Sequence, residues 1–94
     1  MEEYYLYTFE NTHAAIATEK LLKPAECIVM PVPRFISASC GISVRIKPER
    51  REEAEQIFAE KSGLHEAEYA YYHVVIDKAS KKVQCEPLGF TAQA

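Results

Sequence analysis

A chain of 94 residues with 48% hydrophobic and 27% charged content has the make-up of one small globular domain. Folding at this length buries roughly 60–65% of the surface the unfolded chain exposes, enough for a thin core. The net charge of −3 excludes a general phosphate-backbone binder, which needs a basic face, and no apolar run is long enough to span a bilayer.

Tyr4-Tyr5-Leu6-Tyr7-Thr8-Phe9 is an aromatic, β-favouring run and predicts the first strand. Asn11 or Thr12 then offers an N-cap oxygen, and Ala14, Ala17 and Leu21 follow helical spacing. The helix must end near Lys23, because the residue before Pro24 avoids helical angles. Cys27-Ile28-Val29-Met30 predicts a short buried strand. Pro31 and Pro33 cannot donate ladder hydrogen bonds, so this strand belongs at a sheet edge or stops at Met30.

Ile42, Val44 and Ile46 alternate with Ser43 and Arg45, the pattern of a half-buried third strand. Pro48 suits the first turn of a second helix, with Glu49, Glu52 and Glu53 near its positive end, Ala54, Ile57 and Phe58 on its apolar stripe and Gly63 past its end. Tyr69 to Asp77 predicts a fourth strand, followed by a polar turn. Val83-Gln84-Cys85-Glu86 can add a short extra strand before a tail, loosely ordered from about residue 86. No linker or repeat divides residues 1–94, which are expected to form a single domain. The order βαββαβ predicts an α+β ferredoxin-like sandwich, a four-stranded antiparallel sheet with two helices on one face.

Three widely spaced cysteines, Cys27, Cys40 and Cys85, do not make a disulfide framework. Free thiols in a reducing cytoplasm are the expectation, and Met1-Glu2-Glu3 lacks the basic and apolar segments of a secretory signal. No Cys-x-x-Cys or His-x-x-x-His pair suggests a metal site, and no cofactor is expected.

Cys40 stands out. In the expected fold the start of the third strand lies beside the start of the first helix, and Cys40 shares the parity of Ile42, Val44 and Ile46, which face the helices. Its sulfur should then point at the first helical turn, where free N–H groups favour a thiolate. Ser37 and Ser39 can donate hydrogen bonds to it, and Gly41 permits close approach of backbone or substrate. Arg34 can bind an anion or pair with a carboxylate, whereas Arg45 has the opposite parity and faces away. His13, in the first helical turn, can act as a base or simply be a polar residue at a helix start. Against all this, a free cysteine often serves as a small buried hydrophobe. Cys27 opens an apolar strand and reads as packing; Cys85 is either incidental or a resolving thiol. Tyr5, Tyr7, Tyr69 and Tyr71 share one parity on two strands that pair. They can form an aromatic face opposite the helices, either a homodimer surface or an amphipathic one that tolerates water.

Residues Tyr5 to Phe9, Thr12 to Ala15, Glu19 to Leu22, Met30-Pro31-Val32-Pro33-Arg34 and Ser37-Ala38-Ser39-Cys40-Gly41-Ile42 together resemble the DUF3343 family of selenium/sulfur carrier-like proteins, over about residues 4 to 46. The resemblance implies that Cys40 is the carrier thiol, with Arg34 and His13 in its surroundings. The Cys-Pro pair of the TusA-like sulfur carriers is absent. The function expected is therefore a small sulfur or selenium carrier, a reactive thiol rather than a full enzyme site. Its site would comprise Cys40 with Thr12, His13, Arg34, Ser37, Ser39 and Gly41, and its partners would be donor and acceptor proteins, with no nucleic acid or membrane. The alternative is a non-catalytic module that binds an anion or partner at the same pole, with Cys40 structural.

Overall fold

The computed structural model describes residues 1–36, 40–64 and 68–88. Its elements are β1 (Glu2–Phe9), α1 (Thr12–Leu21), β2 (Ile28–Pro31), β3 (Ile42–Ile46), α2 (Arg51–Lys61), β4 (Tyr69–Asp77) and β5 (Lys82–Pro87). The strands form one antiparallel sheet of order β2-β3-β1-β4-β5, so the sheet has five strands, β5 forming a full edge strand beyond β4.

Local chemistry accounts for the element ends. Asn11 is extended, and its side chain accepts the Ala14 N–H at 2.8 Å, capping α1. Past α1, Lys23–Ala25 forms a single 3-10 turn around Pro24. Pro48 opens another 3-10 turn that runs into α2. Beyond Ser62, Gly63 takes a φ of 65°, the left-handed conformation that ends a helix.

Both helices pack on one face of the sheet. Ala14, Ala15 and Leu22 from α1 and Ala54 and Phe58 from α2 share a core with Tyr5, Tyr7, Phe9, Val44, Ile46 and Tyr71. Tyr7 is fully buried and stacks on Phe58 and on Tyr71, with ring centroids 4.4 Å apart in each case. Burying such a ring contributes roughly 1.5–3 kcal/mol.

The tyrosine face is therefore the helix face, contrary to the expectation of an open aromatic surface for a homodimer. Register is the reason. Tyr7 lies opposite Val44 and Tyr5 opposite Ile46, and directly opposed residues share a face. The other face carries Tyr4, Leu6 and Val74, and Val32 and Ile36 fold back against it. The Ile36 N–H closes a turn on the Pro33 carbonyl at 3.0 Å, leaving Arg34 and Phe35 exposed at its tip. Arg45 lies on this second face as its parity required, its guanidinium 4.5 Å from the Tyr4 ring centroid.

The short strand β2 is at an edge, but it is not buried: Ile28 and Val29 are 47% and 48% exposed. Its apolar run suggested a buried strand, yet α1 packs over β3 and β1, on the Val29 side, and Ile28, opposite Arg45, is on the other face. No helix among the described residues is long and apolar enough to cross a membrane.

Candidate functional site

Cys40 enters the site through backbone pairing. Its N–H donates to the Phe9 carbonyl at 3.2 Å, which ties the start of β3 to the end of β1, one turn of chain before α1. Parity then carries the side chain to the helix face, into the same core as Val44 and Ile46. The sulfur receives the Ile42 N–H at 3.4 Å and lies 3.6 Å from Thr12 Oγ1, the first residue of α1. The expected juxtaposition of thiol and helix start is present. The thiol is also enclosed, with Cys40 only 5% exposed.

These contacts decide what the sulfur can do. As a thiol it can donate to Thr12; as a thiolate or persulfide it can accept from Thr12 and from Ile42 N–H together. The first-turn N–H groups of α1 and the helix dipole add a positive potential on the same side.

The other cysteines differ. The Cys27 thiol donates to the Glu19 carbonyl at 3.5 Å, and burial, reinforced by the Glu19 charge, pushes its pKa up. Glu19 lies two helical turns beyond Thr12, so Cys27 is at the far end of α1 from Cys40. Burial also pushes the Cys85 thiol up, and Cys85 packs on the opposite face of the sheet among Tyr4, Leu6 and Val74. The sheet itself separates Cys85 from Cys40, which removes the resolving role. All three thiols are free.

Among the expected site residues that the structure describes, Thr12 is joined to Cys40 through its hydroxyl. His13 is exposed on α1, and no hydrogen bond links it to Cys40 among the described residues. Arg34 sits at the turn tip between Val32 and Ile36, which pack on the other face, and makes no ion pair among the described residues. Ser37 and Ser39 lie outside the described residues. Gly41 has no positive φ, and among the described residues a Cβ placed there meets nothing within 4 Å, so neither its conformation nor its described surroundings require glycine. Its carbonyl accepts the Val32 N–H at 3.1 Å. The Ile42 amide and the Phe9 carbonyl were not legible in the sequence, since backbone groups have no residue signature. Among the described residues no three His, Cys, Asp or Glu side chains converge to hold a metal ion.

A second polar cluster, also unforeseen, surrounds Glu55 on α2. Its carboxylate accepts from Arg51 at 2.9 Å and from the Tyr71 hydroxyl at 2.6 Å, while Arg51 also donates to the Tyr5 hydroxyl at 3.0 Å. The i,i+4 spacing of Arg51 and Glu55 was the available signal. The Tyr7 hydroxyl, deeper in the same cluster, is buried with no hydrogen-bond partner among the described residues.

No curated protein and no solved structure matches the chain. A family model does, and its match reaches past β3 and α2 to the start of β4, further than the residues that suggested the resemblance. On that match, over residues 4–70, the chain belongs to the family described as "Putative Se/S carrier protein-like".

Proposed function

We propose that this protein carries sulfur or selenium as a group bound to Cys40. The observation that supports it is the setting of the sulfur, with the Ile42 N–H and the Thr12 hydroxyl on it at the start of α1. The Cys40 thiolate attacks the terminal sulfur of a donor persulfide. The donor S–S bond breaks, the donor leaves as a thiolate, and Cys40 becomes a persulfide with no net oxidation. The transferred atom sits about 2 Å beyond Sγ. An acceptor thiolate then takes it by the same exchange, and a selenium atom passes by the analogous step. Among the described residues nothing lies within 4 Å of a Cβ placed at Gly41, which supports approach over that residue. His13, exposed on the first turn of α1, serves in this reading as part of the rim that donor and acceptor proteins dock against, and the three free thiols fit a reducing cytoplasm. The element order and the neighbour order β4-β1-β3-β2 support a ferredoxin-like arrangement of a single domain, extended by β5.

A second reading is favoured by the 5% exposure of Cys40: the thiol is packing, and the pole binds an anion or partner without chemistry. Treatment of the reduced protein with glutathione persulfide, followed by peptide mass spectrometry, separates the two. The carrier predicts a gain of one sulfur at Cys40 ahead of Cys27 and Cys85, and transfer to an added thiol. Absence of persulfide at Cys40 refutes it and leaves the second reading.

A further inference from the structure

The two edges of the sheet are built differently. On β2, the Val32 N–H donates to the Gly41 carbonyl. N–H direction alternates along a strand, so Met30 and Ile28 also face β3 and the outward positions are Val29, Pro31 and, past the strand, Pro33. Two of those three have no N–H to offer. This edge is closed to strand addition by its own prolines.

On β5, the Leu88 N–H donates to the Tyr71 carbonyl at 2.8 Å. The same alternation turns Glu86 and Gln84 toward β4 and leaves Val83 and Cys85 presenting N–H and carbonyl groups outward. Pro87 also falls at an outward position, where it costs β4 nothing and marks the end of the open stretch. Val83 is 42% exposed. Lys82 and Glu86 are both exposed and have no ion pair among the described residues.

We infer that the open β5 edge pairs antiparallel with β5 of a second copy of this chain, with the two-fold axis at Gln84. In that register Val83 and Cys85 of one chain exchange N–H···O bonds with Cys85 and Val83 of the other. Lys82 stands opposite the partner's Glu86, and Glu86 opposite the partner's Lys82. The segment Lys82-Val83-Gln84-Cys85-Glu86 is thus complementary to its own reverse in charge and in hydrogen bonding, the requirement of an isologous contact. The groove of about 350 Å³ lined by His73, Val75, Gln84 and Glu86 along β4–β5 becomes continuous with its copy across the axis. Cys40, on β3's side of the sheet, is left clear in both protomers.

Sedimentation equilibrium on the intact chain tests this. The wild type is expected at twice the 10.7 kDa chain mass at submillimolar concentration. Lys82→Glu alone and Glu86→Lys alone each turn two attractive pairs into two repulsive ones and should weaken association about tenfold or more. The double variant Lys82→Glu/Glu86→Lys restores opposite charges and should recover the dimer. Val83→Pro removes only an outward N–H, so it should give a monomer with an unchanged circular dichroism spectrum. A monomeric wild type overturns the inference. So does a dimer indifferent to Val83→Pro, or one that the double variant fails to recover while its circular dichroism shows it folded.

Discussion

Two neighbouring hydroxyls should respond to the same chemical change with opposite signs. Tyr7 and Tyr71 stack at 4.4 Å, and both are buried. The Tyr71 hydroxyl donates to Glu55 at 2.6 Å; the Tyr7 hydroxyl is buried and meets no hydrogen-bond geometry among the described residues. An unpartnered buried hydroxyl costs about 1–3 kcal/mol of lost hydration. Removing its oxygen leaves a void of one atom, worth only about 0.3 kcal/mol at ~24 cal/mol per Å³. Tyr7→Phe should therefore stabilise the fold by about 1 kcal/mol. Tyr71→Phe loses a bond to a charged acceptor, nominally about 1.5–3 kcal/mol, reduced because the acceptor is partly hydrated, so a loss of about 1 kcal/mol is expected. Glu55, 33% exposed, keeps its bond to Arg51. In a domain this small, a change of about 1 kcal/mol moves Tm by roughly 4–8 °C. Urea unfolding and calorimetry of the two variants should thus differ by about 2 kcal/mol in total. A Tyr7→Phe protein less stable than wild type by about 1 kcal/mol would refute the reasoning, because the hydroxyl must then be satisfied.

Three more outcomes are expected. Burial holds the hydroxyls of Tyr7, Tyr71 and Tyr4 protonated well past their ordinary range, so folding stability is fully present below about pH 10 and falls above it. Unfolding followed against pH should steepen by about 1.4 kcal/mol per pH unit for each tyrosine kept neutral in the fold, with Cys27 and Cys85 adding an earlier onset near pH 9. Thr12→Val keeps shape but removes the hydroxyl at Cys40 Sγ, and should slow alkylation and persulfidation of Cys40 several-fold while Thr12→Ser restores both; equal rates in all three proteins would count against the site. Gly41→Ala should leave stability unchanged or raise it by about 0.4–1 kcal/mol, yet slow sulfur transfer if donors approach over this residue; urea unfolding and single-turnover transfer on the same protein measure the two effects separately.

What was legible in the sequence was what depends on neighbours in the chain. Asn11 as a cap, Pro24 as a stop, Gly63 past α2 and the alternation Ile42-Val44-Ile46 are each read within a turn or a strand. Cys40 belongs to this class, because its face follows from residues two and four places away on β3. Arg45 was assigned to the far face by the same step.

Tertiary structure decided what lies between strands. The parity of Tyr5 and Tyr7 is plain, but which side of the sheet that parity meets depends on the β1–β3 register, Tyr7 against Val44, and that is a relation between residues far apart in the chain. The exposure of Val29, opposite Val44 on the helix face, depends on how far the helices reach, and that of Ile28, opposite Arg45, on what covers the other face. The Cys40 sulfur's partners come from a helix start and a backbone amide brought together by the Cys40–Phe9 pairing. Periodicity and caps act through short-range sterics and hydrogen bonds and so are written in local composition. Register, edges and enclosure arise only when the whole sheet assembles, since they are set by which buried surfaces fit best together.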